Sequence, residues 1–152
     1  MCIRVDPVVR PDRTLCDVNF YAGLESLIDA KRIIAIFGSP PCSTVSRKRH
    51  EQVDRMQHNQ EELRFVPRPL RARGDRVLEC LPNRSRRERA QVVIGSHLFC
   101  ATLYLVAEAA VTTGAPGVIE NPRDPGEEPF PTFWMAPPAL EAKNELQAVE
   151  VT

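Results

Sequence analysis

No two of the five cysteines, at positions 2, 16, 42, 80 and 100, form a Cys-x-x-Cys pair. Thiolate zinc sites are usually built on such pairs, so none is expected here. The odd cysteine count and the lack of an apolar core in the opening MCIRVDPVVRPDR speak against a secreted, disulfide-framed chain. A reduced, intracellular protein is expected, with nothing to choose between nucleus and cytoplasm. Long hydrophobic runs are also missing. The longest, Phe99 to Val111, is shorter than the roughly 20 residues that span a bilayer and contains Glu108, so no membrane partner is expected. Histidine is scarce: His50 and His58 lie in polar surroundings and His97 on an apolar helical stripe, and none reads as a ligand or base.

What is present is enough for one domain. A chain of 152 residues, 43% apolar, can bury a core and a sheet of three to five strands. Its 14 prolines exceed the usual share of about 5% and predict long irregular connections. The formal net charge is zero but unevenly spread. Arg47 to Arg89 holds 13 Lys and Arg against 7 Asp and Glu, a net of +6, which leaves −6 on the flanks. Twelve of those 13 cations are arginines, whose planar fork suits phosphate. Arg47, Lys48, Arg49, Arg71 and Arg73 are therefore candidate nucleic-acid contacts, the alternative being a solvated Arg-rich insertion.

Along the chain, residues 1–13 read as irregular or edge structure and Thr14 to Asn19 as a short strand ending near Asp17. Leu24, Leu27 and Ile28 place a one-sided helix over Phe20 to Ala30. Ile33 to Phe37 reads as a buried strand stopped by Gly38 and two prolines. Residues 47–84 form a basic irregular insertion with one short helix near Asp54 to Arg64. Ser85 to Thr113 is the strongest helix. Ser85 and Glu88 make a capping box, Ala90, Val93, Ile94, His97, Leu98, Ala101, Leu105 and Ala109 make an apolar stripe, and Gly114 makes the stop. Pro116 to Glu120 is then a strand, laid by the helix parallel to the Ile33 strand. In the Pro-rich stretch that follows, Phe130, Phe133 and Trp134 are expected to pack onto the domain, the rival being a base-stacking platform. Residues 1–138 are thus read as one domain and 139–152 as a tail with a frayed helix.

The stretch that organises these elements is Ile33 to Ser46, IIAIFGSPPCSTVS. Its GSPPCSTVS resembles the Pro-Pro-Cys motif of the cytosine-C5 DNA methyltransferases, and Ile119-Glu120-Asn121-Pro122 resembles their Glu-Asn-Val motif. The match runs from about Asp17 to Trp134. The resemblance implies an α/β, Rossmann-like, methyltransferase-type parallel sheet with flanking helices, truncated at its cofactor-binding end. It implies DNA as substrate and S-adenosylmethionine as cofactor, although the first 37 residues contain a lone Gly23 in place of a Gly-rich loop. It also implies a missing N-terminal segment or second chain as partner. Cys42 is the implied nucleophile and Glu120 the acid, with Pro41 and Asn121 holding the turns and Asp17, Ser39 and Pro40 on the cofactor side.

That pairing has chemical sense. Cytosine C5 becomes nucleophilic only after a thiolate adds at C6, and an acid at N3 stabilises the charge pushed into the ring. A free thiol has a pKa of about 8.5, and Arg47, Lys48 and Arg49 supply positive charge nearby in the chain. Two other readings compete. One is a non-catalytic nucleic-acid-binding remnant acting through the Arg-rich segment 47–89, marked by steep salt dependence. The other is a different cysteine enzyme with a phosphatase-like or sulfurtransferase-like loop, in which Cys42 is followed by Arg47 after four intervening residues and Lys48 after five.

Overall fold

The fold is a computed structural model, and it describes residues 15–45, 69–124, 126 and 131–146. In chain order these hold helix α1 (Val18–Asp29), strand β1 (Ile36–Gly38), helix α2 (Arg86–Thr113), strand β2 (Gly117–Ile119), a 3-10 turn (Phe133–Met135) and helix α3 (Pro137–Glu145). The protein is a mixed helix and strand chain whose described residues contain one two-stranded parallel sheet. The described residues divide into two compact units. The first takes residues 15–40 and 97–120, and the second takes 41–45, 69–96, 121–124, 126 and 131–146. Helix α2 contributes to both.

In the first unit, β1 and β2 pair in parallel with Ile36 beside Gly117, Phe37 beside Val118 and Gly38 beside Ile119. Parallel neighbours need a crossover, and α2 supplies it. The two glycines let the helix come down onto the strands. A Cβ at Gly38 would collide with the methyl of Thr102, and one at Gly117 with a methyl of Val106. Ile28, Leu105, Ala109 and Ala115 form the core beneath, with Leu15, Tyr21, Leu24, Ile33 and Ile36 packed against it. Because side chains alternate along a strand, Phe37 and Val118 point to the opposite face and are 67% and 57% exposed. The expectation of a fully buried Ile33 to Phe37 strand is thus corrected: the strand is three residues long and covered on one face, and Ile34 is 85% exposed.

Where Thr14 to Asn19 was expected to be a strand, Asp17 instead starts a helix. Its backbone is extended, and its Oδ1 accepts from the N–H groups of Asn19 at 3.0 Å and Phe20 at 2.9 Å. An Asp before an apolar-periodic segment serves as an N-cap, and that local bond outweighs the β-prone neighbours. The helix ends in a Schellman arrangement. Lys31 takes the left-handed conformation at φ 55°, its N–H donates to Ile28 O, and that of Arg32 donates to Leu27 O.

Helix α2 starts and stops where the sequence predicts. Ser85 Oγ accepts from Glu88 N at 3.2 Å, the Glu88 carboxylate accepts from Ser85 N at 2.8 Å, and Gly114 ends the helix at φ 68°. Its predicted stripe holds only in the second half, where Ala101, Leu105 and Ala109 are buried. In the first half Val93 and Ile94 are 65% and 51% exposed, and Val92, Gly95 and Phe99 face inward instead. His97 is exposed, with Nε2 3.3 Å from Leu15 O. By length and composition alone α2 could cross a membrane. The run counted from Phe99 understates this, because Val92, Val93, Ile94 and Leu98 carry the apolar character further toward the start of the helix.

In the second unit the loop of residues 69–85 is pinned by an antiparallel bridge between Arg71 and Cys80. Helix α3 begins at Pro137, where a proline in the first turn forfeits no hydrogen bond, and buries Ala139. Phe133 is fully buried, as expected of a packing residue, and Trp134 Nε1 donates to Pro122 O at 3.1 Å. Phe130, the predicted helix 54–64 and the end of the C-terminal tail lie outside the described residues.

The close approach of α2 to β1 yields a test. Gly38→Ala is expected to cost about 1–3 kcal/mol through overpacking, read as a lowered urea midpoint. Adding Thr102→Ser, which removes the obstructing methyl and keeps the hydroxyl, should restore most of it.

Candidate functional site

Both motifs begin where a strand ends. Glu120, directly after β2, donates its N–H to Gly38 O at 2.8 Å, so the ladder runs one residue past the named strands. Glu120 itself is exposed. Cys42 follows Gly38 by four residues and opens a tight turn in which Val45 N donates to Cys42 O at 2.9 Å. Its thiol is free and half-buried, while Thr44 and Val45 behind it are 3% and 4% exposed. Pro40 is buried, and Ser39 and Pro41 are exposed. Glu120, Ser39, Pro40 and Asp17 belong to the first unit, and Pro41, Cys42, Arg71, Arg73 and Asn121 to the second.

The turn after Cys42 is held by a residue assigned a different task from sequence. Arg71 is 0% exposed. Its Nε donates to Thr44 Oγ1 at 2.9 Å, Nη1 to Val77 O at 2.8 Å and to Ser96 Oγ at 2.7 Å, and Nη2 to Val92 O at 2.8 Å. The guanidinium lies 4.7 Å from the centroid of the Phe133 ring, within cation–π range. Ser96 Oγ passes the network on to Leu78 O at 2.8 Å. A phosphate contact needs an accessible fork, so Arg71 is corrected from a nucleic-acid contact to an internal brace. Burial of Phe133 beneath it likewise removes that ring as a base-stacking platform. A usable signal was Gly95, an interior helical glycine that costs about 1 kcal/mol relative to alanine. A Cβ there would sit 3.0 Å from Arg71 Nη2 and 3.4 Å from Thr44 Oγ1.

Arg73 is also engaged. It grips Asp124 with both ends of its fork, Nη1 to Oδ1 at 2.6 Å and Nη2 to Oδ2 at 2.8 Å, and its side chain is 13% exposed. This bidentate pair competes with any phosphate role. The Arg73 hydrogen bonds hold the Asp124 carboxyl below its usual range against the opposing effect of burial, helped by the N–H of Gly126. Sequence reading missed Asp124, because nothing local marks a partner 51 residues from Arg73. Asn121 departs from its expected role of holding the turn: its Nδ2 and Oδ1 are buried and make no hydrogen bond. Arg47, Lys48 and Arg49 lie outside the described residues.

Asp17, assigned to the cofactor side, spends Oδ1 on the α1 cap. With a lone Gly23 in the first 37 residues, the residues present do not make a complete S-adenosylmethionine site. Among the described residues no three of His, Cys, Asp or Glu gather to hold a metal ion. No family model, curated protein or solved structure matches the chain.

Two outcomes follow. Removing a buried charged partner typically costs about 3–5 kcal/mol, so Arg71→Met should lower the denaturation midpoint sharply, whereas Arg76→Gln on the surface should leave it unchanged. The Asp124 carboxyl is held more acidic in the folded chain than in the unfolded one. Its contribution is therefore present above the ordinary Asp range and lost as pH falls through the depressed folded value. Asp124→Asn should be less stable than the parent at pH 7, and the two melting curves should converge in strong acid.

Proposed function

We propose that the chain is a cytosine-C5 methyltransferase-like domain supplying the base-side half of that chemistry, with Cys42 as nucleophile and Glu120 as acid. The observation that carries this reading is the parallel register of β1 and β2. In open α/β sheets, ligands lie beyond the carboxyl ends of the strands, and here each of the two resembling motifs starts at such an end. The buried anchor of Thr44 supports it further, since a nucleophile two residues from a fixed side chain keeps its position.

On this reading the Cys42 thiolate forms a bond to C6 of cytosine as the C5–C6 π electrons move toward the ring carbonyl. Glu120 hydrogen-bonds N3 and stabilises that charge. C5 then takes a proton from water; the hydroxide so formed removes the original C5 hydrogen as the C6–S bond breaks, which returns the thiolate and cytosine with the C5 hydrogen exchanged with solvent. S-adenosylmethionine would supply an electrophilic methyl group in place of that proton. The residues described do not complete its site, so methyl transfer requires elements beyond them. The paired Arg73 and enclosed Arg71 leave the rest of the basic segment to contact the DNA backbone.

The test uses DNA tritiated at cytosine C5. The chain should release tritium to water without cofactor, and Cys42→Ser should abolish release while retaining the fold. Glu120→Gln should slow it about a hundredfold, the lower end for a positioned acid. Release undiminished in Cys42→Ser, or none from the folded parent, would sink the reading. Calorimetry with S-adenosylmethionine then distinguishes a base-side domain, which gives no heat, from a complete enzyme.

A further inference from the structure

The outer edge of β2 carries a hydrogen-bonding pattern that nothing above uses. In a parallel ladder, alternate residues of a strand turn both backbone groups toward the same neighbour. Ile36 N donates to Pro116 O at 3.1 Å and Glu120 N donates to Gly38 O at 2.8 Å. With Ile36 beside Gly117 and Gly38 beside Ile119, the backbone of residues 116, 118 and 120 faces β1. The N–H and C=O groups of Gly117 and Ile119 therefore face outward, and none of the four makes a hydrogen bond among the described residues. The edge is open: Pro116, Gly117, Val118 and Glu120 are all exposed. The edge of β1 offers less, since within that strand only Phe37 turns its backbone groups outward.

Along the β2 edge the groups run N–H, C=O, N–H, C=O. That alternation of partial charge is complementary to the same edge read in reverse. A two-fold axis through Val118 sets Gly117 opposite the partner's Ile119, and Ile119 opposite the partner's Gly117. Each pair then exchanges two hydrogen bonds, and all four outward groups of each copy are satisfied. Other centres do worse. An axis at Gly117 would need buried Ala115 as the partner for Ile119, and one at Ile119 would reach Asn121, beyond the strand. The axis through Val118 also makes that residue, 57% exposed, a close pair with its own copy, with Cα atoms about 4.5 Å apart. Phe37 lies beside Val118 in register and continues the apolar row on either side.

We propose that β2 pairs antiparallel with β2 of a second copy of this chain, joining two sheets into one of four strands ordered β1-β2-β2-β1. The self-complementary edge selects the occupant, because a second copy meets every outward donor with an acceptor in one register. The interface is small, so the dimer is weak and forms with rising concentration. It uses neither Cys42 nor the Glu120 carboxylate and stands apart from the methyltransferase-like reading.

The experiment is sedimentation velocity on the whole chain over a wide concentration range, with amide exchange followed by NMR. The 17.1 kDa monomer should pass into a species of twice that mass, and the Gly117 and Ile119 amides should become protected as it does. Val118→Lys is expected to weaken association about tenfold, the combined scale of a lost apolar pair and like charges directly opposite. Val118→Glu should do the same, and an equimolar mixture of the two variants should associate again. Val111→Lys, at another exposed valine of the same unit, should behave as the parent. A single mass at every concentration, a dimer whose Gly117 and Ile119 amides stay unprotected, or a mixture no tighter than either variant alone would each overturn the proposal.

Discussion

A charged guanidinium removed entirely from water is the constraint on which the second unit depends. Leaving solvent costs a cation several kcal/mol, and the cost is met only when its donors find oxygens in good geometry. Arg71 finds them on four residues drawn from three separate segments: Thr44 in the turn after Cys42, Val77 in the loop of residues 69–85, and Val92 and Ser96 near the start of α2. Phe133, from a fourth segment, closes over it. Segments with little regular structure of their own are thereby held by one side chain. An apolar residue of similar length could fill much of the volume, but could not specify which carbonyls and hydroxyls come together.

That constraint reaches the candidate nucleophile. The turn of residues 42–45 has one backbone hydrogen bond, from Val45 N to Cys42 O, which alone would leave it free to open. Fixing the Thr44 hydroxyl on Arg71 sets the turn from its buried side, while the Cys42 thiol stays half-exposed on the other. Reactivity needs access, and positioning needs packing. Two residues of one turn divide the two requirements here, as sites on loops commonly do when a rigid element supports them.

The parts legible in the sequence were those with local signals. The capping box at Ser85 and Glu88, the stop at Gly114 and the crossover that makes β1 and β2 parallel each depend on residues close in the chain or on a chirality-independent connection rule. Asp17 carried two compatible readings, strand end and helix cap, and its side-chain bonds decided between them. The stripe on α2 failed at Val93 and Ile94 because periodicity gives a face without saying which partner lies beneath it. In the second unit that partner is a buried arginine, so the inward positions there include the small Gly95 and the hydroxyl of Ser96. Arg71 and Arg73 were read from composition as surface charge, since a count of arginines cannot distinguish one that faces solvent from one that replaces a core.

The first unit poses the reverse problem, a two-stranded sheet that the described residues cover on one face only. Parallel strands are ordinarily buried on both faces, and two strands of three residues have few hydrogen bonds to share. What holds β1 to β2 is the helix on one side, brought close because Gly38 and Gly117 lack side chains. On the other side Phe37 and Val118 stand across from each other in register, largely exposed, and carry apolar area that parallel sheets normally cover.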